Sequence, residues 1–359
     1  MKDILISYDE QKDIFDSYAL ALKSLLNTLI RSEGVHIHSL DSRVKTRKSL
    51  ENKIEKKKKY VSINNITDIV GIRIITHYAD DVDKIAQLVE REFTIDKENS
   101  IDKRVSLEPE KFGYLSLHYI ATLNEARIGL KEYSLYKDIK AEIQIRSILQ
   151  HAWAEIEHDI GYKQTNGLPN VLRRSFSRLA GLLELADDEF IKIKDRIAER
   201  QQEVSKDMES GLGESSLDIV ALGEFLNKSR ALDEISHQIK LRYGITVVPP
   251  SKDYDLAHLF NALFYAGIAT IKDLTNALIQ MKEYVIDRVS LFGKESVEFY
   301  QNKNLPKHIL LVYLAQILVA LQKFPELELK FNTESGLNLK EENVGAFFEK
   351  IRRNITDEK

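Results

Sequence analysis

The stretch "AEIQIRSILQHAWAEIEHDIGYK", residues 141–163, decides how the first half of the chain folds. Its opening heptapeptide alternates apolar and polar residues, which is the period of a β-strand. Glu142, Gln144 and Arg146 then share one face, while Ile143 and Ile145 share the other. The apolar face belongs in a core. The polar face needs partners, because a lone buried carboxylate costs several kcal/mol. Glu142 and Arg146 could meet that need as a plain salt bridge, so the stretch alone leaves its purpose open. The residues that follow change to helical period and carry His151, Trp153, Glu155 and His158.

Working outward, "IFDSYALALKSLLNTLI" within residues 11–31 repeats apolar positions at three and four and predicts a helix. The segment "SRVKTRKSLENKIEKKKK" (42–59) holds nine Lys or Arg against two Glu, and predicts a basic helix capped by Asp41 or Ser42. "TDIVGIRIITHY" (67–78) reads as a mostly buried strand. "DDVDKIAQLVEREF" (80–93) reads as a helix begun by Asp80 or Asp81, and "GYLSLHYIATL" (113–123) as a further strand. Strands interleaved with helices predict an α/β (α+β) core up to about residue 163.

After "TNGLPN" (165–170) the character changes, with helical period running unbroken to about Met208. "ESGLGESS" (209–216) has the composition of a linker. From Leu217 onward the chain reads as mainly α-helical, broken near "GITVVPPSKDYD" and "QNKNLPKH". The expected organisation is 1–208, a linker 209–216, and a mainly helical domain 217–359. In that last domain Gly267 marks a turn before a helix starting near Thr270, which reads as helical packing rather than a nucleic-acid-binding hairpin.

Composition narrows the function classes. The 359 residues suit two or three domains; 43% apolar and 30% charged residues describe a globular chain. The net charge of −4 averages over segments of opposite sign. Zero cysteines exclude disulfides and thiolate metal sites and fit a reducing, cytoplasmic setting. The N-terminus has no signal-peptide pattern. The most apolar run, "ILLVYLAQILVAL" (309–321), is short of the ~20 residues a membrane span needs, so a buried helix and a soluble protein are expected.

Candidate chemistry gathers in the first half. Asp68 at a strand start and Glu142 on another strand offer two hard oxygen ligands of the kind Mg²⁺ prefers, with waters and substrate phosphates completing the shell. The basic run 43–59 offers charge for phosphates. In "FGYLSLHY", Tyr114 offers a flat stacking surface and His118 lies on its side of the strand. Each of these taken singly has an ordinary structural reading.

Together, "SRVKTRKSLENK", "DIVGIRI", "GYLSLHY" and "EIQIRSILQHAWAEIEHDIGYK" stand in an order and spacing that resembles the synthetase domain of the RelA/SpoT family, and most closely its small alarmone synthetases, over roughly residues 10–200. The resemblance implies a nucleotidyltransferase-like mixed sheet flanked by helices. It implies Mg²⁺-dependent transfer of pyrophosphate from ATP to the 3′-hydroxyl of GDP or GTP, the GTP pyrophosphokinase reaction of the stringent response. By motif, Asp68 and Glu142 match the catalytic, Mg²⁺-binding acids. Arg43 and Arg73 match the arginines that sandwich adenine, and Lys45, Ser49 and Lys53 match ATP phosphate-binding positions. Tyr114 matches the ring that stacks on guanine. His118, Gln144, Arg146 and His151 match positions lining the acceptor and phosphates, with Lys163 a possible addition.

Trp153, Glu155 and His158 are taken as structural members of that signature. The "HD" at His158–Asp159 is not read as the hydrolase metal motif of the longer relatives, so synthesis without hydrolysis is expected. Two alternatives remain: a toxin-like relative acting on the 3′ end of tRNA, and a catalytically silent nucleotide sensor. A homo-oligomer is expected, with no membrane association.

Overall fold

The computed structural model describes residues 2–102, 117–162, 169–251, 254–293 and 304–356. The chain divides into two compact units, Met1–Lys194 and Asp195–Lys359. The boundary falls inside one long helix, so that helix contributes to both.

In the first unit the elements are α1 (Lys2–Ser32), β1 (Ile37–Val44), α2 (Arg47–Lys57), β2 (Val70–Thr76), α3 (Ala79–Glu92), β3 (Phe93–Ile95), β4 (Ile101–Asp102), β5 (Leu117–Leu123), α4 (Glu125–Ile128), β6 (Ala141–Ser147), α5 (Ile148–Tyr162) and α6 (Asn170–Ser210). The sheet runs β1-β2-β6-β5-β3, with β4 also on β5. The β2–β6 pair is parallel, while β1–β2, β5–β6 and β3–β5 are antiparallel. This is the mixed sheet flanked by helices that the family resemblance implies. Its apolar face places Ile72, Ile74, Ile143 and Ile145 against Leu22, Leu26 and Ile85 of the flanking helices, all at 2% exposure or less. Each such burial contributes about 1.5–3 kcal/mol.

The basic segment departs from expectation. Residues 42–44 are the end of β1, not the start of a helix, because Ser42, Arg43 and Val44 pair with Ile72, Gly71 and Val70. The helix begins only after Thr46, whose hydroxyl accepts from the Ser49 N–H as N-cap. The alternation that marks β1 is interrupted at Ile37/Ser39 by a register shift, which obscures its period in the sequence. The helix expected at 80–93 is capped by Tyr78 with no side-chain hydrogen bond rather than by an Asp. Residues 113–116 of the expected strand 113–123, Tyr114 among them, lie outside the described residues, as does Lys163.

The second unit contains α7 (Ile219–Lys228), α8 (Arg230–Tyr243), β7 (Thr246–Val248), α9 (Leu256–Tyr265), α10 (Ile271–Gln280), α11 (Lys282–Gly293), β8 (Asn304–Pro306), α12 (His308–Gln322), α13 (Pro325–Glu334) and α14 (Glu341–Thr356). It is largely helical, as expected. The two breaks read as loops are β7 and β8, which pair in parallel. The apolar run 309–321 is the buried centre of this unit, with Leu310, Leu311, Leu314, Val319 and Ala320 fully enclosed. No described helix is long and apolar enough to cross a membrane. The segment read as a linker is held in place: Asp207 accepts from the Ser215 and Glu214 N–H groups at 2.7 and 3.2 Å, and Leu217 N–H donates to Ala269 O at 2.8 Å. Gly267 takes φ +87° in the turn before Thr270, which caps α10 in a capping box with Asp273.

Candidate active site

Residues directly opposed across a ladder share a face of the sheet. One row across β1, β2, β6 and β5 therefore holds Arg43, Gly71, Glu142 and Ile120; the next holds Asp41, Arg73, Gln144 and His118. Arg146 follows on the same face of β6, opposite Ile75. The side chains named from separate motifs thus project from one surface, away from the apolar core.

On that surface the three polar residues of β6 form a hydrogen-bonded series. Arg146 Nη2 donates to Gln144 Oε1 at 2.6 Å, and Gln144 Nε2 donates to Glu142 Oε2 at 2.9 Å. His118 Nδ1 lies 3.1 Å from the other carboxylate oxygen, Glu142 Oε1. Gln144 and Arg146 are 9% and 6% exposed, so these bonds are what makes a polar strand face tolerable in the interior. Burial pushes the Glu142 carboxyl up, but the His118 and Gln144 hydrogen bonds outweigh it and hold it below the usual carboxylate range. Asp68 opposes them, raising Glu142 through its own negative charge. The two acids are therefore in electrostatic reach of each other. Burial, then the neighbouring Arg73 charge, lowers the Arg146 pKa.

Asp68 itself receives two ammonium groups, Lys53 Nζ at 2.6 Å on Oδ1 and Lys45 Nζ at 3.0 Å on Oδ2. Burial raises this carboxyl, and the two lysines more than offset it, leaving its pKa below the ordinary value. Local structure explains the convergence. Lys45 is tied to the residue after Asp68 by its N–H to Ile69 O, 2.8 Å, and Tyr8 Oη donates to Lys45 O at 2.6 Å. Lys53 stands on α2, which Leu50 and Ile54 anchor in the core. Ser49 sits in the first turn of α2, where Thr46 Oγ1 donates to its hydroxyl at 2.9 Å.

A cavity of about 380 Å³ is lined by Asp41, Ser42, Arg43, Gly71, Ile72, Arg73 and Gln144. Gly71 makes room for it, since a Cβ there would lie 3.4 Å from the Arg43 side chain. Arg73 Nη1 pairs with Glu155 Oε1 at 3.2 Å, and His151 Nδ1 lies 3.6 Å from the same oxygen. Burial and the Arg73 charge push the His151 pKa below its ordinary value. Trp153 is buried with Ala180 of α6, in keeping with a structural role, whereas Glu155 ties Arg73 in place.

The structure thus brings Arg43, Lys45, Lys53, Asp68, Arg73, His118, Glu142, Gln144, Arg146 and His151 together. Three contributors escaped the sequence reading. Gly71 carried a signal, a lone glycine inside a buried strand marking close approach. Asp41, a helix-cap candidate by sequence, instead pairs with Arg73 across β1–β2 and lines the cavity. Asp187, 3% exposed on α6, accepts from Ser147 Oγ at 2.7 Å and so fixes the β6–α5 junction, where Gln150 also accepts from Ser147 N–H at 2.9 Å. An isolated Asp in a long helix carries no such signal.

Residues 42–167 match a family model described as "Region found in RelA / SpoT proteins". The GTP pyrophosphokinase YjbM of Bacillus subtilis strain 168 is 27% identical over 187 residues, covering 50% of this chain and 84% of that protein. The GTP pyrophosphokinase YwaC of the same organism is 28% identical over 209 residues, covering 55% of this chain and 96% of that protein. The crystal structure of small alarmone synthetase 2 from Bacillus subtilis covers 53% of this chain and 99% of its own, at 27% identity and a TM-score of 0.45. Residues 42–167 thus match a RelA/SpoT region, and about half of the chain is similar to these two GTP pyrophosphokinases.

Proposed function

We propose that the N-terminal unit is a GTP pyrophosphokinase that transfers pyrophosphate from ATP to the 3′-hydroxyl of GDP or GTP, releasing AMP and (p)ppGpp. The observation that carries this reading is the Glu142 carboxylate, held by His118 and Gln144 within the field of Asp68, which itself pairs with Lys45 and Lys53. Such transfer asks a protein to align two nucleotides and neutralise charge rather than to form a covalent intermediate. The homology to enzymes named GTP pyrophosphokinase supports the same chemistry.

Each residue then has a task. Arg43 and Arg73 flank the Gly71 trough and sandwich adenine. Lys45 and Lys53 hold the ATP phosphates, exchanging their bonds to Asp68 for bonds to phosphate oxygens. Glu142 accepts the proton of the attacking 3′-hydroxyl, with His118 fixing the carboxylate orientation. Gln144 and Arg146 hold Glu142 from the other side, and Arg146 and His151 face the acceptor. Tyr114, by its match to the family motif, stacks on guanine.

Asp68 and Glu142 suit Mg²⁺. Both are hard oxygen donors kept ionised, and Asp68 already draws two cations to its oxygens. Among the described residues no cluster of three or more candidate ligands exists, which fits an ion that takes one or two protein carboxylates and fills its shell from water and phosphate. Bound there, Mg²⁺ would neutralise charge on the ATP phosphates. The test is transfer by Asp68→Asn and Glu142→Gln, each verified as folded by a cooperative thermal transition. Loss of turnover by two or more orders of magnitude is expected in each; wild-type turnover in either overturns the assignment of that acid.

A further inference from the structure

Within the second unit a cavity of about 380 Å³ lies beside the end of α6, the α7–α8 junction and the start of α10. That volume falls in the range of about 300–1,000 Å³ typical of small-molecule sites. Lys228, Arg230 and Lys272 line it, against a single acid, Glu209. Lys228 is drawn to Glu224 at 2.5 Å, but neither Arg230 nor Lys272 makes an ion pair among the described residues. Arg230 and Lys272, with Lys228, outnumber the one acid that lines the same concavity and make it a place for an anion.

The backbone adds to this. Arg230 is the first residue of α8, so the partially positive end of that helix opens on the space, whereas the first N–H groups of α10 are already taken by Ser215 O, Gly213 O and Thr270 Oγ1. The wall opposite Lys272 is the turn through Gly213, at φ +60°, where an added Cβ would come within 3.0 Å of Lys272 N. That close approach is locked by Lys272 N–H donating to Gly213 O at 2.7 Å. Met208 and Leu212 supply an apolar surface next to the cations, and Asn276 also lines the cavity.

We propose that this cavity binds an organic phosphate of nucleotide size, with Arg230, Lys272 and Lys228 on its phosphate groups and Met208 and Leu212 against its ring. The inference is independent of the chemistry assigned to the N-terminal unit. The net acidic composition of this half hides it, because the basic residues are dispersed in sequence and gathered only by the fold.

The chain provides its own reporter. It has three methionines, Met1, Met208 and Met281, and only Met208 lines this cavity. The full-length protein, labelled with ¹³C at the methionine methyls, is titrated with ADP and separately with inorganic pyrophosphate. The expected result is a saturable shift of the Met208 resonance by ADP and weaker binding of pyrophosphate, with Met281 unmoved. Binding of ADP at the N-terminal site leaves the Met208 signal in place and so reads differently. The double variant R230E/K272E is expected to weaken the ADP shift at least about tenfold, since two charge-assisted contacts are lost. Should that variant misfold, R230Q/K272Q takes its place with the same expectation. An unmoved Met208 at millimolar ADP, an equal shift in the variant, or pyrophosphate matching ADP would each overturn the proposal.

Discussion

Gln144 stands two residues from Glu142 on the same strand and donates to it at 2.9 Å, so neighbouring side chains of one strand face are bonded along the strand rather than across the sheet. The arrangement fixes which way the amide points: its nitrogen serves Glu142 and its oxygen receives Arg146 at 2.6 Å. A carboxylate oriented this way is kept ionised in a buried setting and keeps one oxygen toward His118.

Replacing the amide breaks the series at its centre. Gln144→Leu leaves Glu142 and Arg146 each short of a buried partner, at a cost of about 1–3 kcal/mol. The expected outcome is a lower Tm and a fall in kcat larger than the change in KM for ATP. Unchanged thermal stability and kcat in this variant would show that the series is incidental.

Acid should unmask the Asp68 ion pairs. Its pKa is lowered in the folded chain, so its contribution is complete above the ordinary Asp value of about 3.9 and is lost as pH falls through the lowered value. The Tm gap between wild type and Asp68→Asn is expected to be constant near neutrality and to close below about pH 4. A gap that persists undiminished at pH 3, or widens there, contradicts the pairing with Lys45 and Lys53.

Gly71 is open to a steric test. Arg43 lies across it, with Cγ and Nε 3.4 Å from where a Cβ would sit. Gly71→Val puts branched carbon into the trough between Arg43 and Glu142. It is expected to raise KM for ATP about tenfold or more while the β-branched residue suits the strand. An unaltered KM would place adenine elsewhere.

Asp187 acts at a distance from the nucleotides. Asp187→Ala removes the acceptor of the Ser147 hydroxyl at the point where β6 turns into α5, at a cost of about 1–3 kcal/mol. Because α5 carries His151 and Glu155, turnover is expected to fall with stability, and Asp187→Asn is expected to restore much of both. A variant as stable and as fast as wild type would make this bond dispensable.

Much of this was legible because it is periodic or local. Alternation over residues 141–147 located β6 and sorted Glu142, Gln144 and Arg146 onto one face before any partner was known. The apolar run at 309–321 marked the centre of the second unit. What stayed hidden depends on pairing at long range. The strand β1 hides behind a register shift and a run of positive charge, so Arg43 was placed on a helix when its position is set by Gly71 across the ladder. The short strands β7 and β8 have three residues each and pair across more than fifty intervening residues, too little pattern to read. Asp187 and the cavity beside Lys272 exist only once helices distant in sequence are packed.

The decisive measurement is product identity. The purified chain is incubated with Mg²⁺, ATP, GDP and deacylated tRNA together, and every product is resolved by anion exchange and mass spectrometry. The account predicts AMP in step with GDP carrying a pyrophosphate on its 3′-oxygen, and tRNA left unmodified. ADP as the co-product, modification of tRNA in place of GDP, or no guanine nucleotide product with either GDP or GTP would contradict it.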